Sequence, residues 1–159
     1  MEIARLGEII AYKNRMTDLI LSDSDLCKAL YYGENDFLDQ PERSDSAALL
    51  YSKVFPYPFV PGTEASTGMF LTVSAEEFAK VHDVYNSGLL SVSLFAHRDS
   101  QATAYGCTRT DYGMDRVDRL LNQAKGSGLG ELQFNAMNSL TVNEQYYGVR
   151  LQYKCVDFR

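Results

Sequence analysis

The sequence predicts an α+β fold: a four-stranded, mostly antiparallel sheet packed by helices, in the order α-α-β-β-α-β-β, with an extended proline and aromatic arm. Three observations carry this. Apolar residues recur at three- and four-residue steps over 1–21 and again over 110–125. They alternate at every second position over 69–73, 89–97, 132–136 and 147–155. Between these regimes Pro56, Pro58 and Pro61 forbid a helix or a central strand. The chain of 159 residues, 45% of them apolar, suffices for one domain with a sizeable core. Its expected parts are a helical segment (1–32), the extended arm (33–68) and a β-β-α-β-β core (69–159).

The elements follow in order. Ile3, Leu6, Ile9, Ile10, Met16, Leu19 and Ile20 make the stripe of the first helix, with Tyr12 and Lys13 as an interruption or a half-exposed middle. A second, shorter helix starts after Ser22 or Ser24 as cap, buries Leu26, Ala29 and Leu30, and stops at Gly33. Residues 33–46 are polar and turn-rich. In "VFPYPFVPG", Phe55, Tyr57 and Phe59 alternate with prolines, so this arm needs a surface to bury on, either the chain's own core or a neighbouring subunit.

The first strand places Met69, Leu71 and Val73 on one face and Phe70 and Thr72 on the other. The second sets Leu90, Val92, Leu94 and Ala96 against Leu89, Ser91, Ser93, Phe95 and His97, and the polar stretch 75–86 between them reads as irregular, with strand left open at its beginning or end. A helix follows, capped by Thr110 or Asp111, with Met114, Val117, Leu120, Leu121 and Ala124 inward, an Asp115–Arg119 pair outside, and Gly126 as its stop. Of the two closing strands, one alternates Leu132, Phe134 and Ala136 with Gln133 and Asn135. The other turns Tyr147, Val149, Leu151, Tyr153 and Cys155 inward, and "NSLTVNEQ" links them. One dry and one wet face per strand is the mark of an antiparallel sheet.

Composition excludes several function classes. The net charge is −6 and no basic block appears, which disfavours tight binding to nucleic acid phosphate. Three scattered cysteines form neither a disulfide framework nor a zinc spacing and read as reduced thiols. The N-terminus lacks the pattern of a signal peptide, and no apolar run has the length of a membrane span. Eleven tyrosines suit half-buried surfaces, interfaces between subunits among them.

The stretch "SLFAHRDSQATAYGCTRTDYGMDR" holds His97, Arg98, Asp99, Cys107, Arg109 and Asp111, the raw material of a catalytic site. Yet nothing in the spacing brings His97 to Cys107, and there is no nucleophile elbow or oxyanion loop. His97 belongs to the polar face with Ser91 and Ser93. His82 with Asp83, and His97 with Asp99, lack metal-ligand spacing. "GSGLG" follows a helix rather than a strand, the wrong order for a phosphate loop. Glu76 and Glu77 diverge, and Asp111, Asp115 and Asp118 read as a solvated helix face. We therefore expect no catalytic residue, no cofactor and no metal. The arm residues Phe55, Tyr57 and Phe59 and the loop residues Arg98 and Arg109 are the expected protein-interface residues, because long ordered loops serve recognition.

The stretches "IIAYKNRMTDLILSDSDLCKAL", "NDFLDQP", "VFPYPFVPGTEAS", "RTDYGMDRVDRLLN" and "YYGVRLQYKCVDF" cover most of the chain. Together with the layout they resemble the head–tail joining (neck) proteins of long-tailed bacteriophages, in particular the tail terminator and tail completion group. The resemblance implies a structural virion protein, not an enzyme, assembled in the host cytoplasm into a ring, a homohexamer in that group. Such a ring caps the tail tube and joins it to the DNA-filled head. The implied partners are other copies of the chain, the tail tube protein and a head-closure or connector protein. Genome DNA passes through the channel without specific binding, and no membrane is involved. A ring requires heterologous interfaces, and an acidic wall lets DNA slide. The alternatives are a head-closure or adaptor protein on the head side of the neck, a small thiol or metal-dependent enzyme using His97 and Cys107, and a host regulatory module that binds protein.

Overall fold

Helix α1 spans Leu6–Leu21 without a break. Tyr12, Met16 and Ile20, at steps of four, form its buried side together with Thr17. Tyr12 thus joins the stripe rather than interrupting it, while Ile10, expected inside, is 63% exposed. None of the residues 7–11 is buried, and burial along α1 is seen from Tyr12 onward. The computed structural model describes residues 6–81, 85–122 and 132–155. Ile3, the His82–Asp83 pair, Ala124 and Gly126 lie outside the described residues, as does the side chain of Cys155.

Helix α2, Ser24–Tyr31, is capped by Asp23, whose carboxylate accepts the Leu26 amide at 3.0 Å. Ser22 and Ser24 do not cap it; the Ser22 hydroxyl donates back to the Leu19 carbonyl. Asp23 is the better cap because its charge also holds Arg116 of the third helix. The helix ends at Tyr32 in extended backbone, and Gly33 is not a left-handed stop. Two short 3₁₀ turns, Phe37–Asp39 and Ser46–Leu49, follow, and they bury Phe37 and Leu49.

The sheet is mixed and has five strands: β1 (Val54–Phe55), β2 (Phe70–Val81), β3 (Tyr85–His97), β4 (Leu132–Thr141) and β5 (Tyr146–Cys155), in spatial order β1-β2-β3-β5-β4. β1 runs parallel to β2 and the other pairs are antiparallel. β1 is the strand beyond the four expected. It belongs to the arm, and Pro56 limits it to two residues at the sheet edge. The polar stretch between β2 and β3, where the sequence leaves strand open at either end, is strand at both ends, and its irregularity is a register shift between Glu76 and Ala79. β4 likewise runs on through "NSLT", and only 142–145 turn, where the Asn143 side chain accepts the Gln145 and Tyr146 amides. Gly68, at φ 79°, makes the turn into β2; a Cβ there would lie 2.1 Å from the Leu30 carbonyl oxygen.

Helix α3, Arg109–Asn122, is capped by Thr108, two residues before the first expected candidate; the Thr108 hydroxyl accepts the Asp111 amide at 3.1 Å. Val117 and Leu121 are buried, and Met114 and Leu120 pack partly against the same core. The three helices cover the sheet face that carries Leu71, Val73, Leu90, Val92, Leu94, Leu151 and Tyr153. On the opposite face Phe55, Phe70, Phe95 and Tyr146 form a second, smaller core with Phe59, Leu140 and Val142.

Leu121→Ala should cost about 2–5 kcal/mol in denaturant unfolding, because it leaves a cavity under α3. Arg119→Ala should change stability by less than about 0.5 kcal/mol, because its pair with Asp115 lies in solvent. Equal effects would mean that α3 packs through a different face.

Candidate interaction surface

The loop 98–108 is a built object rather than a linker. His97 accepts the Asp99 amide on Nδ1 at 3.1 Å and starts a 3₁₀ turn. Gln101 donates to the Ala96 and Tyr147 carbonyls and accepts the Thr110 hydroxyl. The Ala104 amide reaches the Asn35 carbonyl at 2.9 Å. The Tyr105 hydroxyl accepts the Leu38 amide, and its ring meets Phe37 edge-on at 5.1 Å.

Arg109 closes this loop and is 0% exposed. Its Nε donates to the Ser100 carbonyl, Nη1 to those of Ala29 and Tyr32, and Nη2 to those of Gly33 and Glu34. All five N–H donors of a guanidinium are thereby used. Burial lowers its pKa from the usual arginine value. Arg109 was expected at a protein interface; in this fold it is an internal brace, and its charge is unavailable to a partner. Arg98 is at the surface, with its side chain 66% exposed and 3.9 Å from Asp99.

The candidate catalytic pair does not form a constellation. His97 is buried, not on a wet face, because the aromatic core covers that end of the sheet; its ring meets Tyr146 edge-on at 5.3 Å. Cys107 is exposed on the loop, where its carbonyl accepts the Thr103 hydroxyl. Among the described residues no three His, Cys, Asp or Glu side chains are placed to hold a metal. Asp118 is not simply solvated: it accepts the Tyr153 hydroxyl at 2.7 Å and the Asn122 amide at 3.1 Å. Glu76 pairs with Arg150 and accepts the Gln152 amide. No helix among the described residues is long and apolar enough to cross a membrane.

The arm divides its aromatics between two tasks. Phe55 and Phe59 stack at 3.9 Å with planes 6° apart and lie on Phe70, so they serve the chain's own second core. Tyr57 faces outward, 44% exposed, and stacks at 6.5 Å on Tyr51, which is 63% exposed. Val60 beside them is 67% exposed. Tyr51 sits at φ 65°, and its amide donates to the Val54 carbonyl at 2.8 Å. A left-handed aromatic residue costs of order 1–3 kcal/mol and persists only where the surroundings impose it. The sequence reading missed Tyr51; no local signal marks a tyrosine as left-handed.

At the other end of the sheet, α3 covers β4 only in part: Leu132 is buried, but the strand beyond it is not. Phe134 and Met137 share the helix-side face with Tyr153 and Leu151, their register partners, yet they are 51% and 47% exposed. Together with Met114, Asp115, Asp118 and Leu151 they line a groove of about 270 Å³. Phe134 was expected inside, and the edge position explains the difference. Tyr147, also expected inside, is 39% exposed near the β4–β5 turn.

Arg109→Met should lower unfolding free energy by more than about 3 kcal/mol, because several buried carbonyls lose their donors together. Arg109→Lys should recover only part, since an ammonium cannot fork across them. A loss below about 1 kcal/mol in urea unfolding would refute the bracing role. Stability should also fall in alkali. Burial, reinforced by Asp23, pushes the Cys27 thiol from 9.0 up to about 11, and burial pushes Tyr112 from 10.0 up to about 12. Burial and the hydrogen bond to Asp118 raise Tyr153 further. Groups raised on folding stabilise the fold below their unfolded pKa and cease to do so as pH climbs through the folded one. The denaturation midpoint should therefore hold from neutral pH to about 9 and decline towards about 12. A flat profile across that range would contradict their burial.

The YomW family model matches residues 23–155, from the cap of α2 to the last residue of β5. No curated protein and no solved structure matches the chain.

Proposed function

The chain belongs to the YomW family, which is phage-derived, and on that premise we propose that it is a structural protein of the phage neck, a tail terminator subunit. In this role copies of the chain form a ring that caps the tail tube and gives the filled head a docking surface. The observation that carries the proposal is the Tyr51–Tyr57 stack. It is an exposed aromatic pair, held by a left-handed tyrosine, on an arm whose other rings are committed to the chain's own core. Aromatic residues presented on a rigid base are what a protein interface uses as anchors.

The layered α+β build supports the terminator reading over the head-side alternatives, since adaptors are mostly helical and closure proteins are small β-barrels. The buried, backbone-bonded His97 and the exposed Cys107 support a non-enzymatic role over a thiol enzyme. The net charge of −6 per chain suits a ring through which DNA passes without binding.

Tyr57→Ala, introduced into the phage, should leave a chain with unchanged circular dichroism that fails in assembly. Electron micrographs should show full heads beside unattached, overlong tails. Leaking heads with normal tails would move the protein to the head side of the neck, and normal particles would remove it from the neck.

A further inference from the structure

We infer that the groove between α3 and β4 receives the Tyr51–Tyr57 ridge of a second copy of this chain. The inference rests on the reading above that the chain works as repeated copies, and it names the surface that receives the arm. β4 is the terminal strand of the sheet and ten residues long, and among the described residues nothing pairs with its outer edge. A long edge strand flanked by exposed apolar side chains is an aggregation hazard unless something covers it. The side chains here are Phe134 and Met137, half exposed over a groove floored by Leu151.

The ridge lies beside β1, at the opposite end of the same sheet. One chain therefore carries two unlike apolar patches on opposite edges. That is the arrangement of a head-to-tail contact, which closes into a ring when the rotation between copies allows. The chemistry of the two patches also matches. The groove has thioether and aromatic walls, which adapt to an inserted ring. One rim carries carboxylates, and Asp115 is mostly exposed with one oxygen on Arg119. A tyrosine is apolar along its ring and a donor at its tip, so its ring meets the walls and its hydroxyl meets the acidic rim. The ridge leads with tyrosines and keeps its phenylalanines for the chain's own core.

The test leaves both patches intact and uses two full-length variants, Val60→Cys beside the ridge and Ser139→Cys beside the groove, both positions exposed, each in a background with Cys107→Ser and Cys155→Ser, and a short bismaleimide crosslinker. The two variants mixed should give a covalent dimer, and each variant alone should give none. Crosslinking of Ser139→Cys with itself would show β4 meeting β4 and would overturn the inference. So would absence of a crosslink in the mixture, whether or not the chain oligomerises by another route. The neck reading fails separately. A heterologous crosslink with normal phage particles from Tyr57→Ala would keep the contact and discard the neck. Defective tails without the crosslink would do the reverse.

Discussion

The Arg109 guanidinium holds the helical layer, the long loop and the arm in one arrangement. Its acceptors come from three places: Ser100 in the loop, Ala29 and Tyr32 at the end of α2, and Gly33 and Glu34 beyond it. The last carbonyls of a helix have no intrahelical partners and carry the negative end of its dipole, so a cation is favourable there. Two further carbonyls at that end also find donors. The Tyr32 amide meets Lys28, and the Met69 amide at the start of β2 meets Leu30. The end of α2 is thus a junction where the loop, the sheet and α3 are joined through backbone oxygens. No carboxylate among these hydrogen bonds neutralises the arginine, and the carbonyl dipoles do that work; Glu34 and Tyr105 partly offset the burial that disfavours the charge.

This junction decides which surfaces stay free. With α2 and α3 fixed by Arg109 and by the Asp23–Arg116 pair, the helices cover the middle of the sheet. β4 is left over at one end. At the other, the short β1 brings the arm back along β2, and Phe55 and Phe59 cover the aromatic half of the second face. The rest of that face is polar and packed from within. Ser91 is small and buried, and Glu76 of β2 pairs with Arg150 of β5 across the strand that carries it.

Most of this was legible where periodicity reports burial. α3 and the inner strands follow their apolar patterns because both patterns face one core. The failures share a cause: the deciding partner is remote in sequence. Asp23 outcompetes two serines as a cap because Arg116, 93 residues on, adds to it. Arg109 looked like a surface charge because its acceptors at Ala29 and Tyr32 lie 80 and 77 residues away. β1 and the far half of β4 were missed because edge strands are not obliged to alternate. In the arm, proline spacing revealed the aromatic teeth but not their division. That division depends on Phe70 and Tyr146, which only the folded sheet places beneath Phe55 and Phe59.

The strain at Tyr51 has a physical implication for the surface it supports. A glycine or asparagine at that position would meet the same backbone demand at lower cost. The tyrosine contributes little to the chain's own core, since it is more exposed than Tyr57, its stacking partner. Its ring gains the Tyr57 stack, worth about 0.5–1.5 kcal/mol for an aromatic pair, against a backbone cost of about 1–3 kcal/mol. Within one chain the stack offsets only about half of that cost. An exposed ring on a costly backbone becomes favourable when a second surface buries it, because burying a large side chain yields about 1.5–3 kcal/mol more. The balance at Tyr51 therefore supports the proposed contact between chains better than a role in the stability of one.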